Sequence, residues 1–401
     1  MTLARQGIAH AAPDIHGEVA VPHHVAPDTY AHEQRTPAAD RTGRRWVRAG
    51  LGVAMLVLAS STACSADQLA PNGGDTSVPA ATAPQAPDKF ADHALALADP
   101  TVIGMSDNDL EKRMDLIDES KAQGLRTDLP WYAVQPTEGG TYNWSKFDPI
   151  AKSAKEHGQQ VLAILDYAPQ WAASPDCDTA KVKCAPKDPA KFGDFAVAAV
   201  TRYAPEGIHN YEIWNEQNIS ARWGPAVNAT TYADVVRQTC PRIKKADPQA
   251  VVIAGGLAKG DGPRDVPMVE FVRQFQASNP GDCYDALAVH YYDAKPETLA
   301  QLWAVHQVMA DQHNNRPVWG TEVGVDTSGP CGAPDNPSEI HQAQTLTSAL
   351  QTWRSYDWTG PAFVFMTQDN PAGNNYFGLT CKDPAGTKKP AFDQFQKLAA
   401  G

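Results

Sequence analysis

Positive charge is scarce in this sequence. Among 401 residues, 34 Lys and Arg face 46 Asp and Glu, a formal net charge of −12 at pH 7. A nucleic-acid partner calls for the opposite balance, a basic footprint for its phosphates, so that class is set aside. Spanning apolar segments are missing as well: the run near the start, Leu51–Ala59, has nine residues, where a membrane helix needs about 20. Cysteine is sparse, at seven residues. No two form a Cys-x-x-Cys pair and no His stands at ligand spacing beside them, so no structural metal site is expected. A Gly-rich phosphate turn is lacking too, because Gly255-Gly256 follows a late apolar run without the dinucleotide-binding spacing. No metal, nucleotide or redox cofactor is implied.

What is present begins with an unusual front. Arg44, Arg45 and Arg48 precede Leu51–Ala59, and Ser61-Thr62-Ala63-Cys64 follows. Basic, then apolar, then small residues is the order of an export signal, placed here at residues 44–64. Cys64 after Thr62-Ala63 resembles a bacterial lipobox, with Ser61 where Leu is usual. That resemblance implies lipidation of Cys64 and a lipoprotein on the cell membrane; the alternative is a secreted protein cut near the same point. Residues 1–43, rich in His, Ala and Pro, have no apolar period and are expected to be a disordered extension, or to precede the true start codon. Residues 65–92, mostly Ala, Pro, Thr, Gly and Ser, read as a flexible linker. Without residues 1–63 the balance is 28 basic to 41 acidic residues. Beyond Cys64 lie Cys177, Cys184, Cys240, Cys283, Cys331 and Cys381. An even number in an exported chain suggests disulfides, though spacing alone leaves many connectivities open.

From residue 93 to 401, short apolar runs alternate with longer amphipathic segments. The runs are Val102–Met105, Leu125–Trp131, Gln160–Leu165, Asn210–Trp214, Ala250–Ala254, Ala286–His290, Pro317–Gly320 and Ala362–Met366. Helical patterns follow them over 107–123, 148–157, 189–203, 230–246, 266–277, 297–314, 337–356 and 390–399. Asp107, Asp188 ahead of Pro189, and Ser338 are the expected caps. Near-continuous apolar strands alternating with helices mean a parallel sheet covered on both faces. Eight such units predict an α/β fold, a (β/α)₈ TIM barrel in a single domain, with a doubly wound open sheet as the alternative.

Chemistry in such a barrel sits where strands end. The predicted strand ends bring Arg126, Asp128 and Trp131; Asp166, Tyr167 and Trp171; Asn215, Glu216 and Asn218; His290, Tyr291 and Tyr292; Glu322; and Gln368, Asp369 and Asn370. Glu216 ends the run Tyr211–Ile213–Trp214, and Glu322 ends Pro317–Gly320. Two carboxyls on strands four and seven are the minimum for cleaving an acetal, one protonating the leaving oxygen and one meeting the charge at the anomeric carbon. Glu216 is the candidate acid/base and Glu322 the candidate nucleophile. Asn215 is placed to bond a sugar hydroxyl. Arg126 is placed to pair with Glu322, or alternatively with Asp128 inside the barrel. Tyr292 is placed to donate to Glu322, with His290 beside it. Trp131, Trp171, Trp223 and Tyr376 are rim aromatics that could stack on sugar or simply pack.

These pieces resemble glycoside hydrolase clan A: Arg126, Trp214-Asn215-Glu216, His290–Tyr292, Gly320-Thr321-Glu322 and Lys389-Pro390-Ala391-Phe392. Gly124-Leu125-Arg126-x-Asp128 before Trp131, and Leu165-x-Tyr167-Ala168-Pro169-x-Trp171, are most similar to family 39 (β-xylosidase and α-L-iduronidase type), with cellulase-like family 5 as the near alternative. The resemblance implies a retaining, double-displacement glycosidase, β-xylosidase or endoglucanase-like, acting on an extracellular carbohydrate. The sequence departs from the clan at Gln217, where proline often follows the acid, and at Phe365-Met366-Thr367, where strand eight commonly presents an aromatic. The resemblance also suggests three disulfides: Cys177–Cys184, Cys331–Cys381 and Cys240–Cys283. A non-catalytic carbohydrate-binding envelope lipoprotein on the same scaffold is the competing reading. A metal-dependent hydrolase would need His-rich strand ends, and only His290 qualifies.

Overall fold

Eight parallel strands close into a barrel in chain order, β1 returning to pair with β8. The strands are β1 Leu95–Ala98, β2 Gly124–Pro130, β3 Gln160–Asp166, β4 Asn210–Ile213, β5 Val251–Leu257, β6 Ala286–Tyr292, β7 Val318–Gly324 and β8 Thr359–Phe365. Helices alternate with them: α1 Asp107–Glu119, the short α2 Trp131–Val134, α3 Asp148–Glu156, α4 Pro189–Tyr203, α5 Ala229–Ala246, α6 Met268–Ala277, α7 Pro296–Asp311, α8 Pro337–Arg354 and α9 Pro390–Ala399. This computed structural model describes residues 89–329, 331 and 337–401. The extension 1–43, the export signal with Cys64 and most of the linker 65–92 lie outside the described residues. The predicted (β/α)₈ class is the observed one. No helix among the described residues is long and apolar enough to cross a membrane.

The first strand is not where the sequence placed it. Val102–Met105 looked like the strand because it carries β-branched residues; instead Pro100–Val102 is a 3₁₀ turn capped by Asp99. The strand is Leu95-Ala-Leu-Ala, whose composition has little strand preference. The closed barrel explains the choice. Leu95 and Leu97 pack outward into the layer beneath the helices, while Ala96 and Ala98 face the narrow lumen, where small side chains fit. The first cap also moves by one residue: Ser106, not Asp107, accepts from the Asp109 N–H. Asp188 caps α4 as expected.

Two apolar layers result. The larger lies between strands and helices. The smaller fills the lower lumen with Leu162, Ile253, Ala288, Trp319 and Phe363, closed at its base by Phe90, whose ring meets Phe363 at 5.1 Å and Trp319 at 6.1 Å. Above that plug the lumen turns polar. The three disulfides pair as the clan resemblance implied, across 7, 43 and 50 residues for Cys177–Cys184, Cys240–Cys283 and Cys331–Cys381. In the chain-entropy picture the first stabilises by about 2 kcal/mol and the two longer ones by about 4 kcal/mol each.

Candidate active site

The polar part of the lumen is built on Arg126. Strand residues alternate faces, so Arg126 and Asp128 on β2, Asp166 on β3 and Glu212 on β4 all turn inward. Arg126 Nε donates to Glu212 Oε2 at 2.6 Å, Nη1 to Glu322 Oε1 at 2.8 Å and Nη2 to Asn215 Oδ1 at 2.9 Å. Thr321 Oγ1 donates to the other oxygen of Glu212 at 3.2 Å. Burial alone would lower the Arg126 guanidinium; the charges of Glu212 and then Glu322 outweigh it and push the group upward. The alternative partner, Asp128, is reached by the charge of Arg126 but not by its hydrogen bonds, and lies near Asp166. Burial raises both carboxyls, Asp166 well above the ordinary range, as expected for two buried acids in contact that cannot both ionise.

Strand four delivers its end residues by breaking alternation. Trp214 and Glu216 both sit in the left-handed region, φ 70° and 53°, a conformation that costs on the order of 1–3 kcal/mol per residue unless the surroundings hold it. They do hold it. The Trp214 amide continues the ladder to Leu165 at 2.9 Å, and its indole Nε1 donates to the Arg222 carbonyl at 2.9 Å. The indole ring is wedged against Trp223, Phe192 and Tyr167. The Glu216 amide donates to the Gly256 carbonyl at 2.9 Å. As a result the successive residues Asn215 and Glu216 both meet groups of the mouth. Gly256 is required here: at φ +70° a Cβ on it would lie 2.7 Å from Glu212 Oε1.

Strand seven uses a bulge for the same end. Its register slips between Val289↔Gly320 and His290↔Glu322. Consecutive Thr321 and Glu322 thereby both reach lumen partners. Tyr292 on β6 donates its hydroxyl to Glu322 Oε2. Burial and then the Glu322 charge hold that phenol well above its ordinary range. His290 Nδ1 lies 3.2 Å from Glu216 Oε1 and 3.5 Å from Glu322 Oε2. One oxygen of each glutamate and the His290 nitrogen all lie within 4.8 Å of one another. Arg222 Nε donates to Glu216 Oε2 at 3.2 Å. Burial pushes the Glu216 carboxyl up, but the hydrogen bond and charge of His290, with Arg222, outweigh burial and hold it below the usual range.

Glu216, His290 and Glu322 could each offer one ligand atom to a divalent ion. Two guanidinium groups already reach the same carboxylates, Arg126 at Glu322 and Arg222 at Glu216. Their positive charge opposes a further cation there.

Of the expected residues, the structure brings Arg126, Asn215, Glu216, His290, Tyr292 and Glu322 together. It removes Trp131, which is 1% exposed, from the list of sugar-stacking candidates. Pro130 ends the strand and the chain enters α2, turning Trp131 inward onto Phe195, stacked at 5.6 Å. Trp223, also 1% exposed, is core in the same way. Trp171 is half-buried and fixed by Nε1 donating to the Gln135 carbonyl at 3.0 Å. Asn218 is fully buried and ties down the connection after β5 through Ala258 and Val266.

The exposed aromatic near the mouth is the next residue, Tyr132, at 43%. Lys183, held in the loop closed by Cys177–Cys184, places Nζ 4.7 Å from its ring centroid and 4.9 Å from that of Tyr167. Glu212, Arg222, Tyr132 and Lys183 were not foreseen. A charge in the middle of a buried strand was the available signal for Glu212; Arg222 and Lys183 sit in aperiodic loops that offer none.

Comparison with known proteins agrees with the barrel fold. Residues 99–361 match the model of the cellulase family, glycosyl hydrolase family 5. Among solved structures, the chain is similar to a family 39 glycoside hydrolase from the gut symbiont Bacteroides cellulosilyticus WH2, with 20% identity and a TM-score of 0.58. That match covers 79% of this chain and 65% of that one, so this chain spans just under two thirds of the relative's length. A GH39 β-xylosidase from Caulobacter crescentus matches at 19% identity and TM-score 0.58, over 80% of this chain and 73% of that one. A GH10 endoxylanase retrieved from a sugarcane soil metagenome matches at 15% and 0.54, over 77% and 97%. Likeness at these identities shows the fold. No curated relative matches the chain.

Proposed function

The chain belongs to the cellulase family, glycosyl hydrolase family 5, and we propose that it cleaves O-glycosidic bonds of an extracellular oligo- or polysaccharide with retention of anomeric configuration. The observation that carries this reading is the approach of Glu216 and Glu322, oxygen to oxygen, within 4.8 Å. Retaining enzymes set their two carboxyls roughly 5–5.5 Å apart, while inverting ones leave roughly 6.5–9.5 Å for a water.

In this reading Glu322 attacks the anomeric carbon. Its two oxygens accept from Arg126 and Tyr292, as a carboxylate oriented for attack would. As the C–O bond to the leaving group breaks, Glu216 delivers its proton to the departing oxygen. Glu216 then takes a proton from water, whose oxygen attacks the anomeric carbon and releases Glu322 as carboxylate. Asn215, fixed by Arg126 and by donating to the Tyr167 hydroxyl at 3.1 Å, would orient a sugar hydroxyl beside the reacting carbon. Following hydrolysis of a p-nitrophenyl β-glycoside by proton NMR tests the stereochemistry. The first hemiacetal formed is expected to be the β anomer; first formation of the α anomer would overturn the retaining assignment.

His290 supplies a second test. Glu216 must carry its proton to act as acid, and the hydrogen bond and charge of His290 lower its hold on that proton. In His290→Gln both influences are gone, the Glu216 pKa rises and the protonated acid persists to higher pH. The basic limb of kcat/KM, which reports the free enzyme, should therefore move upward. A limb that stays in place, or moves down, removes His290 from this role.

The relatives' β-xylosidase and endoxylanase activities make β-xylosides the first substrates to screen, with β-glucosides next as endoglucanase-like alternatives. We further propose that residues 44–64 export the chain, that Cys64 carries a lipid, and that the stretch after Cys64 tethers the catalytic domain; the domain itself begins before residue 93, because Phe90, expected in the linker 65–92, closes the base of the barrel. The three disulfides support an oxidising compartment. A purely carbohydrate-binding role is disfavoured, because a binder has no use for two facing carboxylates with separate cationic partners.

A further inference from the structure

A second aromatic feature lies away from the barrel mouth, on the outer helix α7. Trp303 is 49% exposed, the most exposed large apolar side chain among the described residues. It is not a stray surface residue. One turn along the helix, His306 lies flat on Trp358 at 4.5 Å and 9°, and Tyr356 stacks on Trp358 at 5.0 Å and 15°. Trp303 leans on all three, at 5.7 Å from His306, 6.1 Å from Tyr356 and 5.8 Å from Trp358. Two rings come from α7 and two from the connection between α8 and β8. Contact with three other rings restricts the rotamers of Trp303, so less conformational entropy is left to lose when something settles on it.

We propose that Trp303, backed by this stack, is a carbohydrate-binding platform separate from the catalytic mouth, and that its ligand is a neutral polysaccharide. A pyranose offers a flat apolar C–H face rimmed by hydroxyls. The platform offers an indole with exposed polar residues near it, Gln307 one helical turn on and Asp357, whose charge reaches His306. Size argues against a second copy of the chain as the occupant. A stable interface needs about 800 Å² per partner, whereas a whole Trp buries only about 150–250 Å², and half of this one is already covered. The other exposed large apolar residues, Tyr132 and Ile340, lie on other elements: Tyr132 in α2 at the mouth and Ile340 in α8. The net charge of −12 disfavours a polyanion. This inference rests on the carbohydrate chemistry of the family and not on the roles given to Glu216 and Glu322.

The test is affinity gel electrophoresis of the full chain in gels containing soluble arabinoxylan, mixed-linkage β-glucan, glucomannan or hydroxyethylcellulose, with polygalacturonate as the anionic control. Glu322→Gln is used as background so that the matrix is not digested. At least one neutral polymer should retard the protein, and polygalacturonate should not. Trp303→Ala should weaken that retardation about tenfold, the loss expected on truncating a packed aromatic anchor. Trp303→Phe should keep most of it, which guards against a merely unfolded variant. In the chain with Glu322 intact, Trp303→Ala should leave aryl glycoside hydrolysis unchanged. The proposal falls if no neutral polymer retards the chain, or if Trp303→Ala migrates like its parent. It also falls if sedimentation reveals a concentration-dependent dimer that Trp303→Ala abolishes, since the occupant would then be a second copy. Failure of the Glu216 and Glu322 assignment would show as hydrolysis by the Glu322→Gln background, while the difference between that background and its Trp303→Ala derivative would still report on the platform.

Discussion

Glu322→Ala is expected to lower turnover of an aryl β-glycoside on the order of 10⁶-fold, the scale on which a covalent nucleophile is lost, while the barrel stays folded. The fold should survive because Arg126 keeps Glu212 and Asn215 as partners and the cavity opens at the mouth, where water can enter. Glu216→Ala should cost less, about 10²–10⁴-fold, the usual share of general acid–base catalysis. Azide then separates the two roles by stereochemistry. Without the Glu322 carboxylate, azide must attack from the face that Glu322 occupied, so a β-glycoside yields the α-glycosyl azide. Without Glu216 the glycosyl-enzyme still forms, and azide displaces Glu322 to give the β-glycosyl azide. Exchanged products would exchange the assignments. Full activity in both variants would end the reading.

The two glutamates were legible in the sequence for a physical reason. An apolar strand run followed by one polar residue and then a carboxyl marks a buried strand nearing a rim, and Trp214-Asn215-Glu216 and Gly320-Thr321-Glu322 both have that signature, although β7 itself continues to Gly324. The barrel was legible because parallel strands buried on both faces leave unbroken apolar runs. What stayed hidden depends on partners far along the chain. Glu212 looks like an interruption of strand four until Arg126, 86 residues earlier, is placed against it. The first strand hid behind Ala and Leu because lumen width, and not residue preference, selects Ala96 and Ala98. Trp131 was expected at the mouth because it is large and ends a strand; Pro130 and the α2 turn hand that position to Tyr132 instead. The bulge in β7 and the left-handed residues of strand four decide which neighbouring side chains share the lumen, and local sequence does not encode either.

These departures share a purpose. Regular strands present every second residue to the lumen, which would supply either Asn215 or Glu216 from strand four, and either Thr321 or Glu322 from strand seven. Each strand breaks its alternation once, so one residue of each pair braces the hub and the other faces the space between the carboxyls. Asn215 and Thr321 reach Arg126 and Glu212; Glu216 and Glu322 face each other across His290.

The hub therefore carries the second large effect. Arg126→Met should destabilise the barrel by about 3–5 kcal/mol, the cost of stranding a buried charge by removing its partner. Glu212 is fully buried, and after the change Thr321 alone among the described residues remains to donate to it. Urea unfolding measures that deficit. Adding Glu212→Gln should recover part of the stability, because the stranded charge is gone, but not the activity, because Glu322 still lacks the cation that orients it. Arg126→Lys should recover little of either, since one ammonium cannot serve three acceptors spread over strands four and seven in the fork geometry of a guanidinium. A loss below about 1 kcal/mol would mean that solvent already screens the hub, and that Glu322 is held in place by Tyr292 and His290 instead.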